Sequence, residues 1–376
     1  MNTLKKIFAI TLCLLLSFTC LAGCHEKGEI AVTVGDYTFT SGYYACALVY
    51  ADMEARALVD AELSMQDASE EDAQDATEST TESAPEEVVY HEHKVEDTDY
   101  VKWVEDTALA TLKKVAAAKT LCAKAGVTLS AEDESLAKEN VNLIWNEYGY
   151  SELMENNGVS KETFIEYMKD GFLTDSYFDH LYGKGGEKEV NAKKINKQLS
   201  DNYALVNTID VDFSEFSEDQ IKQETEKFQA YEKDLKDGKK TFEQVLLDYT
   251  NTSAEDHKHE EAHEGEPKDP HATILGSEET EYFSENFEKA KEMKVGEVKL
   301  LTLEDQAGLS LVVKQDIMDD PYYLNTLDSE LRHGVIGDAF EEDIVKFAEG
   351  LAVEINKSST KQFNVKKMEY PETAAY

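Results

Sequence analysis

One stretch of this chain, residues 203–317, constrains the fold more than any other. It opens with a strand-prone run at 204–211 and continues into a helical period, which stops at Asp237-Gly238. The apolar residues of that period are Ile221, Phe228, Tyr231 and Leu235. A second helical period and two strand-like segments follow. A strand, helices and strands in this order predict one compact α+β domain.

Three marks within this stretch carry a resemblance to a known family. Gly238 is followed by Phe242 at the start of the second helix, the turn 296–298 reads Gly-Glu-Val before a strand, and Gly308 opens the last strand. In this order they resemble the parvulin domain of extracytoplasmic foldases, the PrsA-type lipoproteins and SurA. The resemblance implies a small antiparallel sheet with helices, and a proline-binding pocket that catalyses peptidyl-prolyl isomerisation.

The sequence departs from that family where the chemistry should lie. The histidine of the family's first strand falls on Thr208, and the histidine of its last strand falls on Ser310. The apolar residue that lines the family's proline pocket falls on Lys291. Because preorganised polar groups usually supply the largest catalytic effect, we expect weak isomerase activity or none. An active isomerase is the alternative.

The first residues read as a secretory signal that ends in a lipid-attachment site. Lys5 and Lys6 precede an apolar run, 7–18, which is too short to span a bilayer in the usual way. The sequence Leu-Ala-Gly at 21–23 then precedes Cys24, as in a bacterial lipobox. We expect 1–23 to be removed, Cys24 to be lipidated and 24–28 to tether the protein to the outer face of the cell membrane. An ordinary signal peptide or an uncleaved anchor is the alternative.

The regions on either side of the parvulin-like stretch are predicted to be helical. Residues 29–202 begin with a hairpin and a capped long helix, as the N-terminal chaperone domains of SurA-like foldases do. An acidic, Ser- and Thr-rich segment, 66–99, is predicted to be a disordered insertion. Residues 318–376 carry an apolar helical stripe, and the resemblance implies that this helix folds back on the N-terminal domain. The parvulin-like domain, 203–317, would then be an insertion in a helical one.

A histidine-rich segment interrupts the parvulin-like stretch at 256–271. Imidazole and carboxylate groups suit zinc, and two of the histidines are spaced i, i+4. The candidate ligands are His257, His259, His263 and His271. Nearby Gly265, Pro267 and Pro270 oppose a preformed geometry, so we expect a hydrophilic insertion and no cofactor, with zinc as the alternative.

Charge and cysteine content limit the partners. The formal net charge is -41, which opposes binding to nucleic acid and to anionic lipid headgroups. Once the signal and the lipid site are set aside, Cys46 and Cys122 are left. Both fall in predicted helices, which favours buried thiols and leaves a disulfide between them open.

Together these patterns predict a membrane-tethered foldase or chaperone outside the cell membrane. Its partners would be unfolded or nascent exported polypeptides, and a homodimer is possible. An active peptidyl-prolyl isomerase is the first alternative. A histidine-rich metal-binding lipoprotein is the second.

Overall fold

The computed structural model describes residues 28–71, 88–253, 265–276, 287–303 and 308–371, without the side chains of 66–71. The lipidation candidate Cys24 and the histidines His257, His259 and His263 lie outside these residues. The chain divides into two compact units. The first contains the residues up to His180 together with Ala339–Tyr376, and the second is Leu181–Asp338. Helices with small antiparallel sheets make the protein α+β, which confirms the predicted fold class.

The first unit joins a small sheet to a set of helices. Strands β1 (Ile30–Val34) and β2 (Tyr37–Thr40) form a hairpin, since Gly35 adopts the left-handed conformation that the turn needs. On its other edge β1 pairs with β9 (Val353–Ile355) near the end of the chain. The helices of this unit are α1 (Ser41–Glu71), α2 (Tyr100–Ala125), α3 (Ala131–Glu147), α4 (Tyr150–Asn156) and α5 (Lys161–Tyr182), whose last two residues belong to the second unit, and one turn of helix after β9, Lys357–Thr360.

Helix α2 shows how the sequence sets these boundaries. The Asp99 side chain accepts a hydrogen bond from the Lys102 amide at the N-terminus, and Gly126 ends the helix with a positive φ. Its buried residues recur every three or four positions and pack against α1. They are Val104, Ala108, Leu112 and Ala116.

The acidic insertion predicted at 66–99 is shorter in the structure at both ends. Helix α1 continues to Glu71, and residues 72–87 lie outside the described part. From residue 88 the chain forms a 3-10 turn and a short hairpin of β3 (Lys94–Val95) and β4 (Thr98–Asp99). Val95 is buried, and Val88 and Tyr90 pack against the same core, because this part of the segment has the apolar side chains that the rest lacks.

The second unit is built on a four-stranded antiparallel sheet. Its strands β5 (Tyr203–Asp212), β6 (Thr273–Gly276), β7 (Val298–Leu303) and β8 (Gly308–Lys314) lie in the order β6-β5-β8-β7. The helices are α6 (Ala192–Asn202), α7 (Glu218–Lys236), α8 (Phe242–Thr250), α9 (Pro321–Thr326) and α10 (Asp328–Glu349), which begins here and ends in the first unit. A side chain at Gly308 would place its Cβ 2.4 Å from the Val211 carbonyl oxygen, so the first residue of β8 has to be glycine.

Each face of this sheet has its own apolar cluster. Phe228 and Tyr231 of α7 and Val245 of α8 pack on one face. Phe287, Ala290 and Met293 cover the other face. Thr208 and Ser310 point to this second face. Within the described part of the chain, no helix combines the length and the apolar character needed to cross a membrane.

Candidate functional site

Two of the predicted site residues share one face of the four-stranded sheet. Thr208 on β5 lies opposite Val312 on β8, and Asp210 lies opposite Ser310. Because side chains alternate along a strand, Thr208, Asp210, Ser310 and Val312 point to the same side. The structure therefore brings together Thr208 and Ser310, the two positions predicted to match the family's histidines, as diagonal neighbours across one strand pair.

Ser310 is closed off from solvent. Its residue surface is 0% exposed, and Leu301 of β7 lies opposite it on the strand's other side. The cluster on this face includes Val312 and Leu301 as well as Met293. The Ser310 hydroxyl has no hydrogen-bond partner among the described residues. A buried hydroxyl in such surroundings cannot reach a substrate and is unfavourable to desolvate.

Lys291, the third predicted position, is exposed. Its ammonium group lies 5.3 Å from the centre of the Phe287 ring. The apolar cover of the sheet face comes from Phe287, Ala290 and Met293, which the sequence prediction did not single out. Their spacing of three residues is the signal that could have found them.

Polar side chains on this face include those of Thr208, Asp210, Ser310 and Lys314. Thr208 is half-buried and Asp210 is exposed. At the far end of β8, burial lowers the pKa of Lys314, which lies opposite Val206. The positions that carry paired imidazoles in the resembling family hold only hydroxyl groups here.

His271 is the one zinc candidate among the described residues, and it belongs to an anchored segment. Its backbone amide donates to Asp269 Oδ1 at 2.9 Å, and Asp269 Oδ2 accepts from Asn207 Nδ2 at 2.9 Å. The backbone amide of Lys268 donates to Asp320 Oδ2 at 2.8 Å. The described residues contain no group of three His, Cys, Asp or Glu side chains placed to hold a metal ion. A hydrophilic insertion without a cofactor stays the prediction for this segment, and zinc binding stays its alternative.

The two cysteines of the described chain are free and buried. Cys46 is 0% exposed and Cys122 is 2% exposed, so the structure has two thiols where a disulfide was an open possibility. Burial raises the pKa of Cys46 well above its ordinary value and that of Cys122 to about 11. Both side chains are therefore protonated and unreactive near neutral pH.

The first unit carries an open groove with apolar walls. It has a volume of about 440 Å³ and lies between α2, α5 and the part of α10 that belongs to this unit. Its apolar lining consists of Val115, Tyr167, Met168, Phe172 and Ile344. At the rim, Lys114 Nζ of α2 lies 2.5 Å from Glu341 Oε1 of α10.

A buried polar network fixes one wall of this groove. Asp170 accepts from the Tyr43 hydroxyl at 2.7 Å and from Lys119 Nζ at 2.6 Å. Next to it Tyr167 stacks on Tyr50 with ring centres 5.4 Å apart. Burial, followed by the charge of Asp170, raises the pKa of Tyr43, so its hydroxyl stays a donor to that carboxylate. The groove is therefore preformed and does not need a ligand to order its wall.

These features define an α+β protein with a helical, groove-bearing unit and a second unit built on a four-stranded antiparallel sheet. Its structure is similar to those of PrsA foldases. The foldase protein PrsA from Streptococcus pneumoniae has 14% sequence identity and a TM-score of 0.39, over 69% of this chain and 89% of that one. PrsA from Lactococcus lactis has 17% identity and a TM-score of 0.36, over 69% and 89%.

A third similar structure is PrsA from Bacillus subtilis, with 18% identity, a TM-score of 0.28 and coverage of 69% of this chain and 85% of that one. No protein-family model matches the chain. No curated protein is significantly similar to it in sequence.

Proposed function

We propose that this protein is a chaperone-type foldase that holds unfolded exported polypeptides outside the cell membrane. The observation that carries the proposal is the preformed apolar groove between α2, α5 and α10. An unfolded chain exposes aromatic and aliphatic side chains, and burying them in such a groove stabilises the complex. Met168 lines the groove with a flexible side chain and Phe172 lines it with a rigid ring. A surface of this kind can bind clients of varied sequence.

In this proposal the parvulin-like sheet is a scaffold without prolyl isomerase activity. Isomerisation requires groups that favour the twisted amide of the transition state over the planar one. Ser310 is fully buried, Lys291 is exposed, and the apolar cover of Phe287 and Met293 fills the face on which a proline would sit. These placements support binding without catalysis.

The proposal includes a lipid tether at Cys24. The support is the sequence alone: two lysines, an apolar run and the Leu-Ala-Gly-Cys pattern. Mass spectrometry of the protein purified from bacterial membranes tests it directly. The expected N-terminal fragment begins at a lipidated Cys24, and a fragment that begins elsewhere without lipid contradicts the tether.

The chaperone activity is tested by the aggregation of a chemically unfolded client, followed by light scattering. We expect residues 25–376 to delay aggregation, and Met168→Asp to reduce the delay at least fivefold, because a carboxylate in the groove opposes apolar contact. Leu143→Asp is the matched control, since Leu143 is an exposed leucine of α3, 53% accessible, and does not line the groove. No delay with the parent protein, or equal losses in the two variants, would contradict the proposal.

The isomerase alternative is decided by a protease-coupled assay with a proline peptide. We expect no acceleration by the parent protein and no change in Thr208→Ala or Ser310→Ala. Acceleration that either substitution removes would show that the sheet is an active site.

A further inference from the structure

The C-terminal tail, residues 356–371, is a basic segment of an acidic chain. It contains four lysines and one glutamate, whereas the whole chain has a formal charge of -41. The lysines are Lys357, Lys361, Lys366 and Lys367. The tail lies on the first unit, to which it belongs. Charge therefore favours the binding of a segment with this composition on this body.

The tail places apolar and aromatic side chains between its lysines. Val365 is buried, and Phe363 meets the Tyr44 ring edge-on at 6.1 Å. Tyr370 lies under the guanidinium group of Arg56, 3.8 Å from the ring centre, and its hydroxyl donates to Asp52 Oδ2 at 2.5 Å. Lys366 and Lys367 stay exposed. The first unit therefore binds the tail through Phe363, Val365 and Tyr370, while the lysines between them face solvent.

The side chain of Asn157 forms hydrogen bonds with the backbone of the tail. Asn157 Nδ2 donates to the Glu369 carbonyl oxygen at 2.9 Å, and the Glu369 amide donates to Asn157 Oδ1 at 3.2 Å. A side-chain amide that pairs with both the N–H and the C=O of one residue can do the same for any residue in this backbone conformation. This contact does not depend on the residue at 369.

Asp52 and Arg56, which contact Tyr370, stay paired with each other if the tail leaves. Asp52 accepts from Arg56 Nε at 2.9 Å and from the Tyr100 hydroxyl at 3.0 Å, in addition to Tyr370. Arg56 also lies 4.4 Å from the centre of the Tyr90 ring. Departure of the tail therefore strands no buried charge, and the pocket exists before a ligand arrives.

Cavities accompany the tail along its length. Their volumes are about 410, 450 and 510 Å³, and each is lined partly by the tail and partly by the body of the unit. In the third, Glu105 and Asp106 of α2 lie on the same cavity as Lys357 and Lys361. These cavities are open to solvent, so the surface beside the tail is accessible, while Val365 anchors the tail in the apolar core of the first unit.

We infer that the tail is an intramolecular occupant of a polypeptide-binding groove on the first unit. The competing occupant is an extended segment of an unfolded polypeptide in which aromatic or aliphatic residues alternate with lysines. This inference rests on the proposed function and names a second binding site and a client class for it. Because the tail is covalently attached, its effective concentration is high, so it excludes weak ligands and is displaced only by a client that binds the groove more tightly.

The test uses residues 25–376 and a labelled peptide with the sequence of 356–371, followed by fluorescence anisotropy. In Tyr370→Ala the tail loses the aromatic ring under Arg56, so we expect this variant to bind the peptide at least tenfold tighter than the parent does. A peptide with its four lysines changed to glutamate is expected to bind at least tenfold more weakly. Ser358→Ala is the control, because Ser358 is an exposed residue of the same tail that lines none of these cavities, and the affinity of this variant for the peptide should equal that of the parent.

Hydrogen exchange on the parent protein provides a second measurement if Tyr370→Ala does not fold. The amides of 363–371 should exchange at least a hundredfold faster than those of β1, and added peptide should speed them further. Equal protection of the two segments, or no difference in peptide affinity between a folded Tyr370→Ala and the parent, overturns the inference. Aggregation assays separate the two proposals: client protection without peptide binding removes only this inference, and peptide binding without client protection removes only the proposed function.

Discussion

Ser310 of β8 lies opposite Leu301 of β7, so a buried hydroxyl without a hydrogen bond among the described residues faces a leucine. An unsatisfied buried hydroxyl costs stability because it has lost its water without a replacement. Ser310→Ala should therefore raise the free energy of unfolding by about 1 kcal/mol in urea titrations. Ser214→Ala, at an exposed turn, serves as the control and should change it by less than about 0.5 kcal/mol. A loss of stability in Ser310→Ala would show that the hydroxyl has a partner.

The carboxylate of Asp170 has the opposite role, since it satisfies two donors at once. Asp170→Asn should lower the free energy of unfolding by about 2 kcal/mol, because the Tyr43 hydroxyl and Lys119 lose a charged acceptor in a buried position. Thermal and urea unfolding measure the change. In the control Glu166→Gln, which weakens the exposed pair with Lys169, the change should stay below about 0.5 kcal/mol. Equal effects in the two variants would mean that the Asp170 network adds nothing beyond a surface pair.

The Cys122 thiol predicts a pH dependence. Burial raises its pKa from 9.0 to about 11, so the unfolded chain releases this proton at lower pH than the folded protein does. The resulting stability is present below about pH 9 and is lost as the pH rises toward about 11. Between these values the parent should lose stability more steeply than Cys122→Ala. Parallel curves for the two proteins would rule out the raised pKa.

The two parts of the histidine-rich segment should respond differently to change. Replacing 256–264 by a short Gly-Ser linker should leave the free energy of unfolding within about 1 kcal/mol, as loop-closure cost varies slowly with length. Asp269→Ala should lower it by about 1 to 2 kcal/mol, because the fully buried Asn207 loses the acceptor of its Nδ2 group. Urea titrations of both proteins test the contrast. A large loss on replacing 256–264, or a zinc-dependent stability that disappears with it, would indicate an ordered metal site.

The elements that follow from local patterns were predictable from the sequence. The strand expected at 204–211 is Tyr203–Asp212, and the helical period expected to stop at Asp237-Gly238 is the helix Glu218–Lys236. Period and capping residues act within a few positions, so one sequence is enough to read them.

Contacts between distant residues were not predictable in this way. The position five residues before Gly296 predicted that Lys291 would lie at the pocket wall. The sheet face is instead covered by Phe287 and Met293, whose packing depends on how the strands pair. The packing of Tyr370 on Asp52 and Arg56 spans more than three hundred residues of sequence. Of the candidate site, the positions of Thr208 and Ser310 could be predicted, but the burial of Ser310 could not.

The pairing of β1 with β9 has a consequence for the order of events during synthesis. Val32 of β1 lies opposite Ile355 of β9, so the sheet of the first unit joins segments that are far apart in the chain. The second unit, Leu181–Asp338, is continuous and can fold as soon as it has left the ribosome or the export channel. The N-terminal hairpin must wait for β9, which follows it by more than three hundred residues, with part of its apolar surface unpaired until then. A protein that we propose to hold unfolded chains is therefore itself incompletely folded until β9 has been synthesised.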